Sequence, residues 1–248
     1  MLDSKLLQVD LCLPVYNEEI ILADNVERII SFLDSCSVKL DVRLVILVNG
    51  SSDGSAVIAQ QLASKYPERI IYREYSIASK GQALLAYVNS SPADYWGFID
   101  IDLAVDLPDL ESMFNLIIAQ EADLIIASRF LPGAFRNRQY LRELISVTYN
   151  RLARLLLRTK VSDHQCGCKF VSQAWWQKIR WQIKPSDWFL DTEMIAWTSQ
   201  LGGCLIEAPV HWVDNRYSCR PTKVRLWRDS CRFILELFSL KKRLKANG

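Results

Sequence analysis

Trp96-Gly97-Phe98-Ile99-Asp100-Ile101-Asp102 is an apolar run that ends in two acids one residue apart. A short uncharged run closed by polar residues has the pattern of a strand buried on both faces. Four runs of the same kind accompany it, Val9 to Val15, Leu44 to Val48, Ile70 to Tyr72 and Leu124 to Ala127, with helix-like amphipathic stretches between them. Such alternation predicts an α/β fold, a mostly parallel central sheet with helices on both faces, whose ligands bind beyond the carboxyl ends of the strands. The residues with chemistry to offer do follow strands. Pro14-Val15-Tyr16-Asn17-Glu18-Glu19 comes after the first, Asn49-Gly50-Ser51-Ser52-Asp53-Gly54 after the second, and Asp100-Ile101-Asp102 closes the fourth. All three clusters are then expected on one edge of the sheet.

Read as extended strand from Trp96 to Ile101, the run turns the carboxylates of Asp100 and Asp102 the same way. Two uncompensated acids side by side are costly without a cation near them. They are candidate ligands of a hard divalent ion, Mg²⁺ or Mn²⁺, that carries a diphosphate; a solvated turn is the bland alternative. Asp53 has two readings as well, a ligand loop or the cap of a helix opened by Ser51-Ser52-Asp53-Gly54.

With 248 residues, half of them hydrophobic and 23% charged, the chain can bury one sizeable core, and neither disorder nor a fibrous class fits. The net charge of +2 hides an asymmetry. Residues 216–248 hold ten Lys/Arg against two Asp/Glu, so this segment carries +8 and the rest −6. We therefore expect a catalytic unit at residues 1–215 and a basic segment at 216–248, packed on that unit or lying at a membrane surface. In that segment Val224, Trp227, Cys231, Ile234 and Phe238 form one helical stripe, opposite Arg225, Asp229, Arg232 and Glu236, which predicts a C-terminal amphipathic helix. The interleaving of arginines with apolar residues speaks against nucleic acid as the partner.

No apolar run approaches the roughly 20 residues that cross a bilayer, and the start of the chain lacks the pattern of a signal peptide. These features predict a cytoplasmic location. The seven cysteines read as small hydrophobes of a reducing compartment. Cys166, Cys168 and His164 lack a second pair for zinc. His211 is expected to pack within an apolar strand, and Trp175, Trp176, Trp181 and Trp188 to lie mostly in the core.

Further segments follow the strand-end clusters in order: Lys80-Gly81, Pro108 behind the paired acids, Ala127-Ser128-Arg129-Phe130, Asp163-His164-Gln165-Cys166-Gly167-Cys168-Lys169-Phe170 and Phe189-Leu190-Asp191-Thr192-Glu193. Together they resemble the family 2 inverting glycosyltransferases, and the later segments are similar to the branch that makes dolichyl-phosphate and polyprenyl-phosphate sugars, particularly the dolichyl-phosphate glucosyltransferases. The resemblance spans about residues 8 to 230 and implies the GT-A, or nucleotide-diphospho-sugar transferase, fold. It implies that Pro14, Tyr16, Asn17, Glu18, Asn49 and Asp53 line the donor site, with Lys80 and Asp100 near the ribose and diphosphate. Asp102, with Asp100, would hold the metal. Arg129 and Arg142 would receive an acceptor phosphate, with Gln165 on the same side. Val48 stands where relatives commonly have an acid, and Ala104 where some present a polar group to the metal.

The implied reaction moves a sugar from a UDP- or GDP-sugar to a polyprenyl phosphate, at the cytoplasmic face of a membrane to which the protein binds peripherally. A lipid phosphate attacks already ionised, so positioning and charge neutralisation matter more than a base. Asp191 and Glu193 are candidates for a base or an orienting group, and their spacing on a helix lets only one of them face the site. Two other readings stay open: a transferase acting on a sugar, protein or small-molecule hydroxyl, and a nucleotide-sugar-binding protein without catalysis.

Overall fold

The computed structural model describes residues 6–137, 140–184, 188–214 and 226–246. The strands are β1 (Gln8–Val15), β2 (Asp41–Asn49), β3 (Ile70–Tyr75), β4 (Tyr95–Ile99), β5 (Leu124–Ser128), β6 (Phe135–Asn137), β7 (Cys168–Ser172), β8 (Leu205–Pro209) and β9 (His211–Val213). The helices are α1 (Leu22–Ser35), α2 (Ser55–Lys65), α3 (Lys80–Val88), α4 (Asp109–Ala119), α5 (Tyr140–Leu157), α6 (Gln173–Ile179), α7 (Leu190–Gln200) and α8 (Leu226–Ala246). One seven-stranded sheet runs in the order β3-β2-β1-β4-β7-β5-β8, and β6 and β9 form a separate pair. All neighbours in the large sheet are parallel except β7, which lies antiparallel between β4 and β5.

The sheet is apolar on both faces because helices cover both. Leu11 and Leu13 of β1 and Ile46 of β2 belong to one buried cluster with residues of α1, α2 and α4. Cys12, Val45 and Leu47 belong to the other, with residues of α3, α5, α6, α7 and α8. Alternate side chains of a strand go to opposite faces, which is why these runs read as continuous hydrophobe rather than as alternation. Trp96 and Trp176 meet edge to face in the second cluster, ring centroids 5.1 Å apart.

All five expected strands form, but β4 ends at Ile99. Asp100 to Asp102 lie in a turn in which the Leu103 N–H donates to the Asp100 carbonyl and Leu103 takes φ 49°. The two acids therefore sit on a turn and not on extended strand, contrary to the reading that aimed them by alternation. Within α8 the buried side chains are Leu237, Leu240 and Leu244, whereas Ile234 and Phe238 are exposed. The helix thus turns a different apolar row inward from the one expected, because α5 and α7 pack against it. Trp227 and Cys231 of the expected stripe lie outside the described side chains, and Val224 and the 215/216 boundary lie outside the described residues. Trp175 and Trp176 are buried, but Trp181 is 78% exposed and Trp188 38%. His211 is exposed on the three-residue strand β9 and pairs with Asp109, instead of packing in a core.

Candidate active site

The loops after β1 and β2 are stitched together by their own polar groups. Ser51 Oγ accepts from the Asn17 N–H at 3.0 Å, and Asn17 Oδ1 accepts from the Ser52 N–H at 2.7 Å. Ser55 Oγ accepts from the Glu18 N–H, and Asp53 accepts from the N–H groups of Glu19 and Ser55. Asn17 can hold φ 52° because its short amide tolerates the left-handed region. Gly50 has φ +67°, and a Cβ there would meet Ala78 at 2.8 Å, so this turn requires glycine. Asp53 binds the backbone ahead of α2 and ties the two loops at once. Asn49 is buried at the end of β2, and its Oδ1 has no hydrogen-bond partner, an uncommon state for a buried acceptor. Pro14 and Tyr16 flank the same edge, Pro14 partly buried in β1 and Tyr16 exposed just beyond it.

At the end of β4 a lysine meets the acids. Ser79 caps α3 by accepting from the Gln82 N–H, which leaves Lys80 in the first turn, buried, with Nζ 2.6 Å from Asp100 Oδ1. Burial opposes the charge on Lys80, yet the fields of Asp100, Asp191 and Asp102 override it and hold the ammonium above its usual range. Asp100 touches the lysine directly, while Asp102 of the same turn and Asp191 of α7 act on it through their fields. The Asp102 Oδ1 accepts from the Ala104 N–H, and the Asn25 amide donates to the Ile101 carbonyl at 2.8 Å and steadies the turn. Among the described residues no group of three or more His, Cys, Asp and Glu gathers to hold a metal. The two carboxylates of the turn still suit a hard divalent ion, whose further ligands would come from a diphosphate and water.

The next edge of the sheet is built round a second buried pair. Arg129, one residue past β5, donates through Nε and Nη2 to the two oxygens of Asp163 at 2.7 and 2.8 Å, and its N–H donates to the same carboxylate. Burial opposes ionisation of Asp163, but Arg129 prevails and brings its pKa down to about 2. Glu207 of β8 accepts from the N–H groups of Ser162 and Asp163 and fixes the loop. Arg142 on α5 lies 3.2 Å from Asp214. Gln165 donates to Thr192 at 2.8 Å, and Asp191 accepts from Lys169 Nζ at 2.6 Å. Glu193 points elsewhere, to the Lys184 N–H and to Arg243 of α8, so one acid of the α7 pair faces the site, as the helical spacing requires.

The structure therefore gathers Lys80, Asp100, Asp102 and Asp191, and places Asn17, Asn49 and Asp53 on the neighbouring loops. Arg129 is bound to Asp163 and Arg142 to Asp214, so each expected acceptor-side arginine has a carboxylate partner in this chain. His164 does not open onto a site: it is buried against Asn150 and Thr159. Sequence reasoning missed roles for Asp163, Glu207, Lys169 and Arg136, whose Nη1 donates to the Arg129 carbonyl at 2.8 Å. Lys169 left a signal, a charge inside the apolar run Cys168-Lys169-Phe170-Val171.

The mostly parallel sheet with helices on both faces and two acids on the turn after a central strand has the architecture of a GT-A fold. The model of the family described as glycosyl transferase family 2 matches residues 10–180, and the chain belongs to that family. It is 30% identical over 222 residues to the glycosyltransferase AglD of Haloferax volcanii, covering 90% of this chain and 35% of that protein. It is 23% identical over 213 residues to a dolichyl-phosphate beta-glucosyltransferase of Dictyostelium discoideum, covering 81% of this chain and 65% of that one. The chain thus spans about a third of the one and just under two thirds of the other. Its fold is shared with glucosyl-3-phosphoglycerate synthase from Mycobacterium tuberculosis, solved with Mn²⁺, uridine-diphosphate and phosphoglyceric acid, at TM-score 0.67 and 18% identity over 94% of this chain and 78% of that one.

Proposed function

We propose that this glycosyltransferase moves a hexose, glucose or mannose, from a nucleotide-sugar to a polyprenyl phosphate, with inversion at the anomeric carbon. The observation that carries the reading is the pair of acids on the turn after β4, one of them, Asp100, held 2.6 Å from the buried Lys80 at the carboxyl edge of the sheet. The lipid acceptor rests on the likeness to AglD and to the dolichyl-phosphate glucosyltransferase. The buried, unpartnered Asn49 Oδ1 suits an N–H of the donor base, and the stitched loops around Asn17, Glu18 and Asp53 form a rigid floor for the nucleoside.

In this mechanism the phosphate oxygen of the lipid forms a bond to the anomeric carbon as the bond from that carbon to the diphosphate breaks. The nucleophile is already ionised, so orientation does most of the work. Arg142 would exchange Asp214 for the acceptor phosphate, which a guanidinium meets bidentately, while Arg129 with Asp163 holds the shape of the wall beside it. Mg²⁺ or Mn²⁺ held by Asp102 and Asp100 would neutralise charge on the leaving diphosphate. Lys80 adds a fixed positive charge at the same place, and Asp191, held by Lys169, orients the reacting groups.

Access of a lipid fits the outer surface of α5. Tyr140, Leu141, Leu144 and Leu155 are exposed there, on one helical stripe with exposed Arg151, and exposed Arg158 follows the end of the helix. Ile234, Leu235 and Phe238 of α8 are exposed as well. Mixed apolar and cationic faces of this kind suit the surface of an anionic bilayer. No helix among the described residues is long and apolar enough to cross a membrane; the association proposed for this chain is peripheral, on the cytoplasmic face, and rests on these exposed faces.

The decisive assay mixes pure protein, Mn²⁺ or Mg²⁺ and a panel of radiolabelled UDP- and GDP-sugars with either a polyprenyl phosphate or a set of sugar and small-molecule hydroxyl acceptors, and follows label into each. Labelled lipid from the wild type, reduced about 100-fold or more in Asp102→Ala, supports the reading. Label that reaches only hydroxyl acceptors overturns the lipid phosphate, and undiminished transfer by Asp102→Ala overturns the metal role.

A further inference from the structure

Lys169 is an ammonium with no exposure to solvent, in the middle of the sheet on β7. A buried charge is costly unless its hydrogen-bonding groups find partners, and the partners here are specific. Nζ donates to Asp191 Oδ1 at 2.6 Å and to the Cys166 carbonyl at 2.7 Å. The Cys166-Gly167 turn in its own right is pressed on the other acid. The Asp100 N–H donates to the Gly167 carbonyl at 3.0 Å, and a Cβ on Gly167 would overlap the Asp100 carboxylate. One buried cation thus joins the turn that fixes Asp100 to the helix that carries Asp191.

We infer that Lys169 is the positioning residue of this site, holding Asp191 directly and Asp100 through the Cys166-Gly167 turn, without itself touching substrate. The antiparallel insertion of β7 makes this possible. Cys168 pairs with Ile99, so the start of β7 lies at the carboxyl edge of the sheet, beside the acids of the β4 turn. A parallel strand in the same place would bring its carboxyl end there and its first residues to the far edge. The inference rests on the transferase reading above, because it assigns Lys169 a part in that reaction.

The test separates positioning from mere folding through a double-mutant cycle and a binding measurement. Lys169→Met is expected to lower kcat for transfer to polyprenyl phosphate about 100-fold, and to weaken Mn²⁺–UDP or Mn²⁺–GDP binding about tenfold by calorimetry. Asp191→Asn is compared with Lys169→Met/Asp191→Asn; the double variant buries no unpaired charge and should fold even if Lys169→Met alone does not. Within this pair the added lysine change should cost about tenfold or less in kcat, because one of its two targets is already gone, while the loss in nucleotide binding that runs through Asp100 persists. Gly167→Ala should weaken the same binding at least tenfold. A full 100-fold loss of kcat on top of Asp191→Asn, or wild-type binding in both Lys169→Met/Asp191→Asn and Gly167→Ala, overturns the assignment. Active wild type with unaltered variants overturns only this inference, whereas wild type that neither binds nor transfers overturns the transferase reading with it.

Discussion

Arg129 illustrates how a residue singled out by its chemistry can have a structural burden that decides what a mutation reports. Its guanidinium is buried on Asp163 through two parallel hydrogen bonds, and removing one partner leaves the other charge buried and alone. Arg129→Ala is therefore expected to lower the unfolding free energy by about 3–5 kcal/mol, measured by urea denaturation, so loss of activity in that variant cannot by itself identify a phosphate ligand. Arg142, on α5 with 15% of its side chain exposed, is the cleaner probe. Arg142→Ala should raise KM for the lipid phosphate about tenfold or more with a smaller loss of stability than Arg129→Ala, since its pair with Asp214 is a single contact and keeps some exposure to solvent.

Next in the same loop, His164 gives a pH signature. Burial lowers its pKa from 6.5 to about 4, so between those values the unfolded chain binds more protons than the folded one. Its contribution is complete above pH 6.5 and is lost as the pH falls towards 4, and that of Asp163 is lost lower still, between 3.8 and about 2. Unfolding free energy followed from pH 7 to 4 should decline with an uptake of about one proton, and in His164→Gln that slope should flatten.

On the scale of single elements, α5 and α8 show how an amphipathic helix leaves a choice open. Both have more apolar residues than one face can bury, and packing selects Ala153 and Leu157 on α5 and Leu237, Leu240 and Leu244 on α8. What is left over faces out, beside arginines and lysines. If that surface meets a bilayer, Leu141→Asp/Leu144→Asp should reduce cosedimentation with vesicles of anionic lipid at least fivefold without changing the melting temperature by more than a few degrees. Binding by the wild type should weaken with added salt, as expected for cationic side chains on an anionic surface. Equal sedimentation of variant and wild type would move the lipid contact elsewhere.

For the whole molecule, the sheet divides the interior into two clusters that share its strands but not its side chains. Trp176 lies in the cluster beneath α6 and α7, fully buried and edge-on to Trp96. Trp176→Ala should cost about 3–5 kcal/mol, read as a lower urea midpoint. Because α7 carries Asp191 from that same cluster, transfer activity is expected to fall before global unfolding as urea is raised on this variant.

The sequence by itself determined the first five strands, their order of polar loops and the edge at which those loops meet, since a doubly covered parallel sheet needs short apolar runs and turns its loops one way. It also marked Asp100, Asp102, Lys80 and Asp191 as residues of one site, through the family resemblance of the segments that hold them. It did not reveal β7, because a lysine interrupts its apolar run, nor that Asp100 and Asp102 stand on a turn. Only the tertiary structure decided which carboxylate each of Arg129, Arg142 and Lys169 would meet. Those partners lie 34, 72 and 22 residues away, and local periodicity contains no information about contacts over such distances. The physical reason is the cost of burying a charge, which is settled by whichever opposite charge the fold brings within reach.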